Sequence, residues 1–285
     1  MSAGAPDGAR RPAALGGPRP GSQLDRVQWD LVFTWAAAAT LLIAAIRAAH
    51  FVSTIPDLSA SIGVDYQIYM SAARRWLAGE GFFFPFQLAG PYVIAGGEVL
   101  YPPVVLWLLV PFSFLPAVLW WLVPVALTLL AARAMHPRPW GLLAASVILV
   151  LPIAQEPILW GNPVIWLVPA VAWGLLVGWP AAVVLVKPTL APFVLAGLTH
   201  PRSLLVGLAG LAILCVPFGI QAWLDWLTAL GNSGLPVTYS IRQAGLLLIP
   251  VALYLSGRGS NDLAELRVRF AASGLGAHLA ARRPD

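Results

Sequence analysis

The chain has 285 residues, 59% of them hydrophobic and 10% charged, with a formal net charge of +5. An average soluble domain carries roughly 25% charged residues, so this composition excludes an ordinary soluble globular protein. The absence of period-2 alternation excludes an outer-membrane barrel. The expected class is an all-α polytopic membrane protein. Its basic excess consists of sixteen arginines and a single lysine, Lys187. In so apolar a chain that excess belongs with cytoplasmic loops rather than with nucleic acid. The lone Cys215 allows no intrachain disulfide and reads as a buried free thiol.

Residues 1–28, rich in Gly, Pro and Arg, read as a disordered cytoplasmic tail with no cleavable signal. The first span, about 31–52, follows Arg10, Arg11, Arg19 and Arg26, so it should run outward. A first outer loop, 53–101, is too long to lack structure and marks itself as functional. Within it, "DYQIYMSAARRWLAG" (65–79) sets Ile68, Tyr69, Ala72, Ala73 and Trp76 at helical spacing, opposite Gln67, Ser71, Arg74 and Arg75. This pattern predicts an amphipathic helix lying in the membrane interface. Asp65, four residues before Tyr69, shares its apolar, membrane-facing side.

"YPPVVLWLLVPFSFLP" (101–116) predicts a re-entrant or interfacial outer helix, with its prolines in the first turn. Spans follow near 117–134, 140–155 and 163–179. Two half-spans, 181–187 and 189–199, break at Lys187-Pro188, and further spans cover 203–220 and 244–256. Residues 29–256 thus form the transmembrane domain, and 257–285 form a polar cytoplasmic tail. On this reading twelve arginines lie inside, whereas the outer segments hold four bases beside six acids. That asymmetry sets the orientation.

Asp65, Glu156, Asn162, Lys187 and Arg242 all fall on the outer side. A broken helix is a known way to aim a cation and free backbone amides at an anionic ligand. Bases beside a carboxylate suggest a lipid phosphate and a proton acceptor. Each residue also has a plainer reading. Asp65 could cap its helix, Lys187 could snorkel to the interface, and Arg74 and Arg75 could form a headgroup-facing surface. Trp76, Trp140, Trp160 and Trp179 read as an interface belt. The histidines (His50, His136, His200 and His278) are scattered, and no metal constellation, phosphate-cradling glycine loop or nucleophile elbow is present.

The order "DYQIYMSAARRWLAGEGFF", "YPPVVLWLLVPFSFLP", "LWGNPVIW", "LVKPTLAPFVL" resembles the glycosyltransferase 87 family over roughly 30–250. These are integral membrane glycosyltransferases of the GT-C fold, among them polyprenyl-phosphate-mannose-dependent α-mannosyltransferases of the bacterial plasma membrane that act in lipoglycan biosynthesis. The resemblance implies an inverting transfer of a hexose, mannose in those members, from a polyprenyl-phosphate donor to a lipid or glycan acceptor on the extracytoplasmic face. It implies Asp65 as the general base, Lys187 and Arg242 as cations for the donor phosphate, Tyr69, Tyr101, Asn162 and Glu156 as substrate-binding residues, and no cofactor. The chain departs from the family in showing "GNP" (161–163) where a Gly-Gln-x-Asn motif is usual and in lacking the further spans that members usually carry beyond its last one. Those departures imply a truncated, frameshifted or minimal member, truncated at its C-terminal side in the first case. A lipid-linked-sugar binding or translocating protein without catalysis, an inactive relative, and a transporter with a broken helix are the alternatives.

Overall fold

The computed structural model describes residues 21–54, 62–94, 96–235 and 241–258, and among these all regular structure is helical. The outer parts of both expected tails, 1–20 and 259–285, lie outside the described residues. Helix α1, Gly21–Ser53, starts inside the expected N-terminal tail and runs unbroken because no Gly or Pro interrupts it after its first residue. The first loop then supplies α2 (Val64–Leu77) and α3 (Pro85–Ala89). A 3₁₀ turn, Pro103–Val105, leads into α4 (Leu106–Phe112).

Four helices follow: α5 (Leu119–Met135), α6 (Pro139–Val150), α7 (Pro152–Trp160) and α8 (Val164–Val177). Two 3₁₀ segments, Trp179–Val186 and Pro188–Thr199, precede α9 (Pro201–Cys215) and α10 (Gly219–Asn232). A last 3₁₀ turn, Ile241–Gln243, opens α11 (Ala244–Ser256).

Two helical stretches, Val27–Ser53 and Pro201–Asn232, are long and apolar enough to cross a membrane, and the bent α6–α7 pair makes a third if taken as one span. The remaining apolar helices have 10–17 residues, short of the ~20 a straight crossing needs. Proline is the physical reason. Pro124, Pro169 and Pro250 sit inside helices, and Pro152, Pro188 and Pro201 restart them at a first turn, where a missing N–H costs nothing. The expected crossing 140–155 ends at Val150 and bends by 71° into α7. The expected span 203–220 breaks after Cys215, and α10 carries the helical run on to Asn232. Cys215 is free and half-buried rather than buried.

The two 3₁₀ segments fold back on each other as a hairpin. Its base closes so tightly that a Cβ on Gly178 would stand 2.7 Å from the His200 carbonyl oxygen, and one on Gly174 would stand 2.7 Å from the Ala181 Cβ. Small residues let backbones approach in this way in apolar bundles. Lys187, with φ −125° and ψ 86°, makes the turn at the tip.

Indole hydrogen bonds record the helix directions. Trp120 Nε1 donates to the Gly161 carbonyl at 2.7 Å and Trp173 Nε1 to the Leu127 carbonyl at 3.0 Å, so α5 and α8 run parallel. Gly257, after α11, lies against the carbonyls of Met135 and His136. These directions gather Arg133, Arg138, Arg202 and Arg258 at one end of the bundle, and Asp65, Asn162 and Lys187 at the other.

Two apolar cores result. One surrounds α8, with Val164, Leu167 and Val171 against Leu190, Leu246 and Leu247. The other lies under the first loop, where Tyr69, Met70, Ala72 and Ala73 meet Phe82, Val99, Leu106, Leu109 and Trp120. The apolar side of α2 is therefore covered by protein, not by the membrane interface as its pattern suggested. Arg74 and Arg75 also reach the loop. Arg74 Nη2 donates to the Ser113 carbonyl at 3.0 Å, and the Arg75 guanidinium lies 3.8 Å from the Phe84 ring centroid. Helix α10 closes this layer: Trp226 Nε1 donates to the Leu100 carbonyl, Asn232 Nδ2 donates to that of Gln87, and the Tyr92 hydroxyl donates to that of Ala229.

The contact between α9 and the hairpin gives a paired test. A Cβ on Gly207 would overlap the Trp179 carbonyl oxygen, whereas one on Gly210 meets nothing within 4 Å. Gly207→Ala is expected to destabilise by about 1–3 kcal/mol through overpacking. Gly210→Ala should be neutral or stabilising, by up to about 1 kcal/mol. Thermal melts of the purified protein in detergent check both, and equal melting points would contradict the packing.

Candidate functional site

At the end of the bundle away from the clustered arginines, four stretches distant in sequence meet in one polar node. The first is the start of α2. Gly63, at φ 73°, precedes it without a side-chain cap, and its amide donates to the Leu159 carbonyl at 2.9 Å. Asp65 therefore does not cap the helix. Its Oδ2 instead accepts a 2.6 Å hydrogen bond from Asn162 Nδ2.

The second stretch is the Gly161-Asn162-Pro163 turn between α7 and α8. Gly161 holds φ 72°, and a Cβ there would come 2.7 Å from the Trp121 ring and 2.9 Å from the Tyr66 Cβ, so both conformation and space demand glycine. The turn aims Asn162 inward. Its Oδ1 accepts from the Val164 amide at 3.1 Å and from the Tyr101 hydroxyl at 3.1 Å. A backbone N–H can only donate, so the amide oxygen must face Val164 and the amide nitrogen must face Asp65.

Tyr101, just ahead of the Pro-Pro pair, is the third contribution. It is buried, and its ring packs edge-on against Tyr69 at 5.3 Å between centroids. Its hydroxyl donates to Asn162 and accepts from Lys187 Nζ at 3.0 Å. Lys187, at the hairpin tip, is 4% exposed. It also donates to Gln243 Oε1 and stands 4.9 Å from the Tyr101 ring centroid. A phenol and an amide thus link the Lys187 amine to the Asp65 carboxyl in one chain of hydrogen bonds.

Of the residues singled out in the sequence, Asp65, Asn162, Tyr101 and Lys187 join this chain, and Tyr69 walls it. Arg242 is exposed, one residue from Gln243. Glu156 is not part of the node and lines a separate pocket with Arg47 and His50. Sequence reasoning missed Gln243 and Arg47. Gln243 is the polar residue at the mouth of an apolar helix, and Arg47 is the lone charge near the end of α1, a signal that was present in the pattern.

Asp65 is half-buried, and burial pushes its carboxyl above the usual carboxylate range. The Asn162 hydrogen bond and the Lys187 charge pull the other way without cancelling that effect. Among the described residues no group of three or more His, Cys, Asp or Glu stands together as a metal site.

Fold and node together define a membrane protein, all-helical among its described residues, with a buried polar relay at an end of its bundle. Comparison with known protein families, with curated proteins and with solved structures finds no match.

Because the Asn162 amide favours ionised Asp65, removing it should raise the carboxyl's pKa further. Asn162→Ala is expected to shift the Asp65 titration, followed by carbon NMR of labelled aspartates, toward higher pH. An unchanged midpoint would contradict the hydrogen bond's role.

Proposed function

We propose that the chain is an integral-membrane glycosyltransferase of the GT-C type, related in kind to the glycosyltransferase 87 family it resembles. It moves a hexose, mannose by that resemblance, from a polyprenyl-phosphate donor to a hydroxyl of a lipid or glycan acceptor on the extracytoplasmic face. The observation that carries this reading is the coupling of Asp65 to Lys187, far apart in sequence, through Asn162 and Tyr101 in an otherwise apolar protein. Such a pairing of base and cation is what sugar transfer from a phosphate requires.

Asp65 takes the acceptor's proton as the hydroxyl oxygen bonds to the anomeric carbon. The bond from that carbon to the donor phosphate oxygen breaks on the opposite face, inverting the centre, and its electron pair leaves with the phosphate. Burial makes the carboxylate more basic than an exposed one, which strengthens it as a proton acceptor. The Asn162 bond to Oδ2 leaves Oδ1 to meet the acceptor. Lys187 and the exposed Arg242 offset the charge that grows on the departing phosphate. The gathering of Arg133, Arg138, Arg202 and Arg258 at the opposite end supports an extracytoplasmic node. The two helical stretches long and apolar enough to cross a membrane, with the bent α6–α7 pair as a third if taken as one span, support an integral membrane protein.

Asp65→Asn is expected to lower mannose transfer from polyprenyl-phosphate mannose in proteoliposomes by about 10²-fold or more, the usual contribution of a general base, without changing the melting temperature. Wild-type transfer should also fall on the acid side with a midpoint above ~4, the ordinary aspartate value. A fully active Asp65→Asn protein would overturn the assignment. Wild-type protein that binds the donor but transfers nothing would favour the non-catalytic alternative.

A further inference from the structure

We propose that the groove between α1, α5 and α6 seats an acyl chain of a phospholipid whose headgroup carries two phosphates, held by Arg133, Arg138 and Arg258. This site leads away from the Asp65 node and does not rest on the transferase reading. The groove holds about 480 Å³ and is walled by Ala37, Leu41, Leu129, Ala132, Leu142 and Leu149 among others.

Its interior suits hydrocarbon. Three hydroxyl side chains line it, yet each donates within its own helix: Thr34 to the Asp30 carbonyl at 2.7 Å, Thr128 to that of Pro124 at 2.7 Å and Ser146 to that of Leu143 at 2.8 Å. With those protons spent, the groove offers water little, and apolar cavities of this kind stay dry. Along α5 it runs from Trp121 to Ala132, about 16 Å at 1.5 Å per residue. That is half of a hydrocarbon core ~30 Å thick, the depth of one leaflet.

The two ends of the groove differ. Toward the node Trp121 closes it, its indole donating to the Ile158 carbonyl at 2.6 Å and its ring lying 5.4 Å from that of Tyr66. At the other end Arg133 follows Ala132, and Arg138 comes one turn before Leu142. Gly257 lies against the carbonyls of Met135 and His136, which brings Arg258 to the same turn. The headgroup therefore belongs at the arginine end, with its chain pointing toward the node. Leu122, Val125, Leu129 and Leu130 are exposed at helical spacing on the side of α5 that ends in Arg133, and they give further chains an apolar bed.

Charge selects the headgroup. Arg133, Arg138 and Arg258 are exposed, and none has an ion-pair partner among the described residues. Helix α1 brings the exposed Asp30 to this end, since the Ala44 carbonyl, farther along it, accepts from Gln155 of α7 at 3.1 Å. Three guanidiniums less one carboxylate leave two positive charges, which two phosphodiesters balance and one does not. Guanidinium forks match phosphate oxygens, and basic pockets between membrane helices take such headgroups.

The test titrates the purified full chain in detergent with tetraoleoyl diphosphatidylglycerol, dioleoyl phosphatidylglycerol and dioleoyl phosphatidylcholine, with bound lipid counted by native mass spectrometry. The two-phosphate lipid should bind at least threefold tighter than the glycerol lipid and at least tenfold tighter than the choline lipid. Arg133→Gln combined with Arg138→Gln should weaken it at least tenfold. So should Leu129→Trp, which fills the groove from an exposed position; thermal melts report whether each variant is folded. Equal affinity for the three lipids, wild-type affinity in either folded variant, or displacement of the bound lipid by equimolar inorganic pyrophosphate or polyprenyl monophosphate would each overturn the proposal. Asp65→Asn should bind the two-phosphate lipid as the wild type does, so failure of the transferase reading would leave this result standing.

Discussion

A single ammonium buried in an apolar protein is the constraint around which this structure is arranged. A charge withdrawn from water is costly unless it is paired and hydrogen-bonded, and Lys187 has almost no exposure. Its demands are met by the hydroxyl and the aromatic face of Tyr101 and by the amide oxygen of Gln243, two residues far apart in the chain. The balancing carboxylate is reached through Tyr101 and Asn162 rather than touched directly. That arrangement stabilises both charges while leaving the carboxylate partly open to solvent, a geometry suited to proton transfer more than to structural pairing.

Meeting that constraint shapes the backbone. The hairpin must deliver Lys187 to the level of Asn162, so it folds back alongside α8, with glycines at 174, 178 and 197 where backbones nearly touch. Gly161 is fixed by the same logic, since any Cβ there would strike Trp121 and Tyr66 and push Asn162 away from Asp65. The first loop becomes a packed layer because Tyr69 and Tyr101 need a core around them to hold the phenol in place. Helix α10 completes that layer through hydrogen bonds to Gln87, Tyr92 and Leu100.

Much of this was legible in the sequence, and the reasons it was are physical. The break at Lys187-Pro188 and the helix over Asp65–Leu77 follow from proline chemistry and from 3.6-residue spacing, both local rules. What was not legible depended on tertiary contacts. The apolar stripe of α2 has the same pattern whether it faces lipid or protein, and only the presence of Phe82, Val99 and Leu109 beneath it decides the matter. The expected crossing 140–155 was overstated because hydropathy ignores the bend at Leu151-Pro152. Gln243 as the partner of Lys187, and the separation of Glu156 from the node, depend on distances that no spacing encodes.

The central claim is that Lys187 serves a lipid phosphate, with its burial as the means and not the end. Affinity for a polyprenyl monophosphate, measured on the purified protein in nanodiscs, tests it most directly. Lys187→Met should bind at least tenfold more weakly than the wild type, with Lys187→Arg recovering part of the loss. Wild-type affinity in a folded Lys187→Met protein would contradict the account.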